Sequence, residues 1–278
     1  MTDQRTVLIT GATDGLGRAL AHRLASEGTT LILHGRDPDR LARAADEIQT
    51  AHSVPRPRTV QADLAELAQV RRLADDVQQA TDRLDVLVSN AGIGTGAPDG
   101  RTRQASVDGY ELRFAVNYLA GFLLTLGLLP LLRRSAPARV VNVASLGQHP
   151  LDFDDLMIER GYNGGRAYGQ SKLAQIMSGF ELAGQLPAAE ITVNSLHPGT
   201  YMPTKIVLAE IGRHVDSLDV GVAATHRLAL SPDLAGTTGR FYDRTREAAP
   251  NAQAFDKQVR TALWTRSLDL IDRAGLAG

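Results

Sequence analysis

The apolar residues of this chain fall into two recurring patterns. Short, nearly unbroken apolar or β-branched runs occur at 6–10, 30–34, 58–62, 84–88, 139–144, 190–196 and 239–242, and they read as strands. Longer stretches with apolar positions three and four apart lie between the earlier runs, at 18–28, 39–51, 67–81, 109–132 and 164–182, and they read as helices. Strands without polar alternation are expected where both faces are covered. Repeated alternation of strand and helix predicts an α/β fold, with one doubly wound parallel sheet of about seven strands, helices on both faces and right-handed crossovers. No internal repeat, low-complexity tract or linker interrupts the pattern, so residues 1–278 read as a single domain.

The ends of the strands carry the unusual residues. The first run stops in Gly11-Ala-Thr-Asp-Gly15-Leu-Gly17 and passes straight into a helix. Glycines in such a turn bring backbone N–H groups close to a pyrophosphate, and the helix N-terminus adds a partial positive charge. The second strand ends in Gly35-Arg36-Asp37. Dinucleotide sites selective for NAD place a carboxylate at that point, where it would repel a 2'-phosphate, so Arg36 favours NADP over NAD. Asp63, at the end of the third strand, is suited to cap the next helix or to meet an adenine amino group. The fourth strand ends in Ser89-Asn90-Ala91-Gly92, small enough for a ribose or nicotinamide to approach the backbone.

Two further features surround the helix over 164–182. Tyr168 and Lys172 lie one turn apart on one face of it. Only three lysines (172, 205 and 257) occur among 30 basic residues, so a lysine at this spacing stands out from an arginine-rich background. A compact ammonium is able to lower the pKa of a nearby phenol. With six tyrosines in the chain, the pair alone could be accidental. A polar, glycine-rich stretch over 149–166 precedes this helix and is too long for a tight connection, which suggests a functional loop.

Composition narrows the classes. Net charge −1 and the absence of any basic cluster argue against a nucleic-acid surface. With no cysteine, disulfides and thiolate chemistry are excluded. The seven histidines are scattered without ligand spacing, so no metal site is expected. No apolar run reads as a membrane span, and the polar start leads directly into a strand, so a cytoplasmic protein without a cleaved signal is expected.

With TGATDGLG (10–17), SNAG (89–92), Asn117, Ser145, YGQSK (168–172) and HPG (197–199) in order, the chain resembles the short-chain dehydrogenase/reductase family along its whole length. HGRD, DFDDL and YGQSKLA resemble the retinol-dehydrogenase-like and related bacterial members most. The resemblance implies a Rossmann-type NAD(P)-binding domain and a catalytic set of Asn117, Ser145, Tyr168 and Lys172. Tyr168 would be general acid/base, Lys172 would lower its pKa and bind the nicotinamide ribose, Ser145 would orient the substrate oxygen, and Asn117 would hold a relay water. Cofactor contacts are implied for Gly11, Thr13, Asp14, Gly15, Leu16, Gly17, Arg36, Asp63, Leu64, Asn90, Ala91, Gly92, Tyr168, Lys172, Pro198, Gly199 and Thr200.

Two positions depart from the family's pattern. Pro203 stands where a cofactor-binding threonine is usual, with Thr204 one residue later, and Asp14 stands where many NADP members have a basic residue. Segments 148–166 and 200–216 should cover the substrate, and Phe153, Leu156, Met157, Tyr162, Tyr201, Met202, Ile206 and Val207 suggest an apolar pocket for a hydrophobic ketone, aldehyde or secondary alcohol. The Tyr168 helix, with Leu173, Ile176, Met177 and Phe180, would join subunits of a homodimer or homotetramer. The competing reading is a catalytically silent NADP-binding sensor or scaffold.

Overall fold

The computed structural model describes residues 5–96 and 100–276, with the side chains of Ile206, Gly275 and Leu276 outside the description. Among them, eight strands form one sheet: β1 (Thr6–Ile9), β2 (Thr30–Gly35), β3 (Arg58–Gln61), β4 (Val86–Ser89), β5 (Ala138–Val143), β6 (Ile191–His197), β7 (Phe241–Asp243) and β8 (Arg246–Glu247). Their order is β3-β2-β1-β4-β5-β6-β7-β8, parallel through β7. The additional strand is the two-residue β8, antiparallel to β7 across a turn in which Arg244 takes φ 54°.

Covering both faces explains the unbroken apolar runs. Val7, Ile9, Val86 and Val88 point into a core shared with α1 (Gly15–Ser26), α2 (Pro38–His52) and α8 (Leu218–Leu230). Leu8 and Leu87 point the opposite way, as strand geometry requires. They meet α3 (Leu67–Ala80), α5 (Ala120–Arg134), α6 (Gly164–Gln185) and the C-terminal α9 (Lys257–Leu276). Helices α8 and α9 lie in stretches to which the apolar pattern alone assigns no element.

The long helix expected over 109–132 is not uniform. A turn of α-helix, α4 (Leu112–Phe114), passes into a π-helical turn (Ala115–Leu119) and then into α5. Asn117 sits in that turn, a form that concentrates at functional sites. From Leu112 to Arg134 the 23 residues are long and apolar enough to cross a membrane, with mean hydropathy 1.8, contrary to the sequence reading. Yet 61% of that apolar window is buried inside the fold, as expected of a core helix.

Helix α9 settles the fate of the apolar face of α6. Leu173, Ile176 and Met177 are wholly buried within the chain. Trp264 packs edge-on to Phe122 at 4.9 Å, Tyr118 and Ser267 share a 2.6 Å hydrogen bond, and Phe180 meets Phe255 at 6.2 Å. Three residues of the face expected to join subunits are thus buried within the chain, and α9 packs on α6, with Arg260 Nε 3.3 Å from Glu181 Oε2.

The strand order reverses beside β1, between β1 and β4, and the crevice outside the carboxyl ends there is where open α/β sheets bind ligands.

Candidate active site

The glycine turn leaves β1 at this crevice. Gly11 has φ 68°, and a Cβ on it would come within 2.9 Å of the Ala91 Cα. A Cβ on Gly17 would collide with the Gly11 carbonyl oxygen and approach Asn90 Nδ2 to 2.6 Å. The turn and the exit of β4 thus pack backbone to backbone. Thr10 fastens them, its Oγ1 accepting from the amides of Asn90 (2.9 Å) and Ala91 (3.0 Å). Asn90 Nδ2 donates in return to the carbonyls of Thr10 (2.8 Å) and Gly11 (3.2 Å).

His34 supports the same turn from β2, and the sequence reading missed it. The Gly11 amide donates to its Nδ1 at 3.3 Å, and its Nε2 lies 3.1 Å from the Ala62 carbonyl. A carbonyl only accepts, so Nε2 carries the proton and Nδ1 is free to accept. Burial brings the imidazole pKa down to about 4, which keeps the ring neutral in this role. The available signal was a histidine closing an otherwise apolar strand.

The expected cofactor residues divide by what they face. Thr13 packs its methyl against Gly35, where a Cβ would sit 2.6 Å from it. Leu16 and Leu64 bury their side chains in the two cores, so only their backbones remain for the crevice. Asp63 does not cap α3; it closes the preceding turn by accepting from Ala65 N (2.9 Å), while Asp108 accepts from the Leu67 amide (3.0 Å). Arg36 is exposed at the end of β2, and its guanidinium makes no hydrogen bond or ion pair among the described residues.

Asp14 is held on three sides. Its Oδ1 accepts from Gly15 N at 2.7 Å, and its Oδ2 lies 3.0 Å from both Arg40 Nη2 and Lys205 Nζ. Burial works to raise its pKa, but Lys205, the Gly15 amide and Arg40 together hold it below the usual carboxylate range. The carboxylate that weakens the NADP reading on sequence is thus matched by two cations. Lys205 begins α7 (Lys205–Ile211), a helix within the expected covering segment.

The covering segment is anchored at its base. Thr200 and Asp216 pair through Asp216 N to Thr200 O (3.0 Å) and Thr200 N to Asp216 Oδ2 (2.7 Å). Arg244 donates to Asp216 (2.5 Å from Nη2) and to Thr200 Oγ1 (3.2 Å). His197 Nε2 also lies 3.1 Å from that hydroxyl. Thr200, expected at the cofactor, has its side chain engaged in this clamp. Gly199 packs closely on Met202, and beyond it Glu210 accepts from Thr95 Oγ1 (2.9 Å) and Gly96 N (3.0 Å) across the crevice.

Tyr168, Ser145 and Lys172 meet at the end of β5. Ser145 Oγ accepts from Gly147 N at 3.0 Å and lies close enough to the Tyr168 phenol to lower its pKa. Burial pushes the Tyr168 phenol above its ordinary value; the bond with Ser145 pulls it down, and Glu210 and Tyr201 push it further up. The expected lowering by Lys172 is not found in the protein alone. Lys172 Nζ lies 6.0 Å from the ring centroid and donates to Val143 O at 2.8 Å, and burial brings its own pKa down to about 8.

Asn117 is bonded to the loop after β4 and to α6. Its Oδ1 accepts from Ile93 N (2.7 Å), and its Nδ2 donates to Ile93 O (3.1 Å) and Ser171 Oγ (3.0 Å). Three side-chain hydrogen bonds to protein partners thus hold the loop after β4 in place. A Cβ on Gly92 would stand 3.2 Å from Asn117 Oδ1 and 3.5 Å from Lys172 Nζ, so this loop lies directly over the lysine.

The apolar residues expected to line a pocket are largely otherwise employed. Leu156 and Met202 are buried, and Met157 Sδ accepts from Glu111 N at 3.4 Å. Tyr162 joins a buried ion pair between Glu111 and Arg113 (3.3 Å), its hydroxyl 2.9 Å from each. Arg113 also donates to Gly94 O at 3.0 Å, which fixes the loop after β4 from below. Phe153 lines a groove with Thr261 and Thr265 of α9. Tyr201 and Val207 are left as pocket candidates, and the Ile206 side chain lies outside the described residues.

The cradle suits a dinucleotide: a glycine turn packed backbone to backbone on the exit of β4, amides at the start of α1, and the cations Arg40 and Lys205 gathered at Asp14 beside that turn. Comparison with known proteins agrees. The family model for short chain dehydrogenase matches residues 5–210. Retinol dehydrogenase 13 of Mus musculus is 35% identical over 293 aligned positions, covering 97% of this chain and 84% of the relative. A protein of Streptomyces sp. (strain C5), provisionally named a daunorubicin C-13 ketoreductase, is 37% identical, covering 95% and 91%. Among solved structures, the NADP active-site complex of RhlG from Pseudomonas aeruginosa aligns with TM-score 0.68 at 29% identity, covering 86% of this chain and 94% of that one.

Proposed function

The chain belongs to the short-chain dehydrogenase/reductase family of enzymes interconverting alcohols and carbonyls, and from that premise we propose that it is an NADP-dependent oxidoreductase acting on a hydrophobic small molecule. The observation that carries the reading is the grouping of Ser145, Tyr168 and Lys172 across the crevice from the glycine turn. The nicotinamide, when bound, supplies or accepts the hydride.

The chain's own residues do the rest. Ser145 donates a hydrogen bond to the substrate oxygen and aims it at Tyr168. The Tyr168 phenol gives its proton to that oxygen in reduction, and its phenolate takes one from the alcohol in oxidation; burial, which raises its pKa, favours the protonated form that reduction needs. Lys172 holds the ribose and stabilises the phenolate once the proton has left. Asn117 acts through the loop at Gly92 and Ile93, keeping it against Lys172. Tyr201 and Val207, beside the crevice, favour an apolar substrate.

The NADP preference rests on the free guanidinium of Arg36 and on the cations that neutralise Asp14. The NADP-bound relative is consistent with it. We place the protein in the cytoplasm, which cell fractionation tests. Whether it forms a homodimer or homotetramer is read by light scattering.

The decisive test is Tyr168→Phe together with a carbonyl and alcohol panel supplied with both cofactors. Turnover should fall at least about a thousandfold while NADPH binding is retained. Unchanged turnover overturns the proposal.

A further inference from the structure

Lys205 is one of three lysines in the chain, and its surroundings do not explain it as a structural residue. Its side chain is 71% exposed and its one ion-pair partner is Asp14, 191 positions away on the glycine turn. Exposed ion pairs contribute little to stability, so this one is readily exchanged. Its position is specific, however. Asp14 Oδ1 caps the Gly15 amide at the start of α1, and the neighbouring Thr204 methyl lies 3.1 Å from where a Gly15 Cβ would be. The start of α7 therefore rests directly on the amides that the cofactor phosphates are expected to use.

The remainder of the segment makes this arrangement deliberate in geometry. Its base is clamped through Thr200, Asp216 and Arg244, and its far end is tied through Glu210 to Thr95 and Gly96. Between these anchors α7 spans the crevice, with its ammonium at the phosphate side. A carboxylate is the charge analogue of a phosphate oxygen. Asp14 gathers two cations, Lys205 and Arg40, at the place where the dinucleotide's negative charge would arrive.

We propose that Lys205 is a cofactor-phosphate ligand carried by the covering segment, which Asp14 holds in place until the dinucleotide displaces it. The inference rests on the dinucleotide reading of the crevice. Binding then transfers the ammonium from Asp14 to the phosphate, and the covering segment closes on the cofactor as well as on the substrate. The two phosphate sources differ in their consequences. A contact to the pyrophosphate serves NADPH and NADH alike, whereas a contact to the 2'-phosphate serves NADPH alone.

The test is fluorescence titration of the full chain with NADPH and with NADH, independent of turnover. Lys205→Gln should weaken NADPH about tenfold. An equal loss for NADH assigns the pyrophosphate, and an unchanged NADH affinity assigns the 2'-phosphate. The same substitution in an Asp14→Asn background should still weaken NADPH; if its effect vanishes there, Lys205 acts only through Asp14 and the proposal falls. As a second reading, a lysine-specific protease should cut after Lys205 several-fold more slowly with NADPH bound, the products being distinguishable because so few lysines compete. Unchanged affinity and unchanged cleavage in a chain that binds NADPH overturn this inference alone. Failure of the unsubstituted chain to bind either dinucleotide overturns the proposed function with it.

Discussion

Acid should undo the glycine turn through one buried imidazole. His34 is neutral in the fold with its pKa brought down to about 4, against 6.5 when free. Between those values the unfolded chain binds a proton that the folded chain refuses, so stability rises with pH across this window. The contribution is fully present above about 6.5 and is lost as pH falls. The loss, relative to high pH, reaches about 2 kcal/mol at pH 5, about 3 kcal/mol at pH 4 and about 3.4 kcal/mol when complete. The structural cause is specific: a proton on Nδ1 would face the Gly11 amide that now donates to it.

Other groups titrate in the same range, so a reference variant is needed. His34→Asn places a carbonyl oxygen near the Nδ1 position and cannot titrate. Urea unfolding of both proteins from pH 7.5 to pH 4, followed by the fluorescence of the single tryptophan, Trp264, isolates the histidine. The stability of the unsubstituted protein relative to the variant should fall by about 3 kcal/mol over that range. A difference that stays constant with pH would refute the reasoning.

Three further outcomes follow from the site. Arg113→Ala leaves the Glu111 carboxylate buried without its cation and should cost about 3–5 kcal/mol, read as a lowered urea midpoint. Gly17→Ala puts a methyl against the Gly11 carbonyl and Asn90, and it should weaken NADPH at least about tenfold in a titration while the far-ultraviolet spectrum is retained. With its pKa brought down to about 8 by burial, Lys172 loses its charge as pH rises through that value, so NADPH affinity should decline there. In Lys172→Met the affinity should be lower and flat with pH.

Much of the fold was legible because its signals are local. An apolar run buried on both faces, a glycine turn and a helix repeat each declare themselves within about ten residues. Strand ends therefore located Ser145, Asn90 and the turn from Gly11 to Gly17, and helical spacing put Tyr168 and Lys172 on one face. The π turn at Asn117 was hidden, since its apolar periodicity is close to that of the α-helix around it. Helix α9 was hidden too, because its partners Phe122 on α5 and Glu181 on α6 lie far back in the chain.

What the sequence by itself determined is the order of elements, the sheet they form, the crevice at its switch point and the residue types gathered there. Only the tertiary structure decided which partner each polar side chain takes. It turned Thr200 toward Arg244, tied Asn117 to Ile93 and Ser171, and brought Lys205 to Asp14. The physical reason is range: periodicity is set by neighbours along the chain. A hydrogen bond or ion pair depends on approaches of about 3 Å between segments whose separation in sequence carries no information about their separation in space.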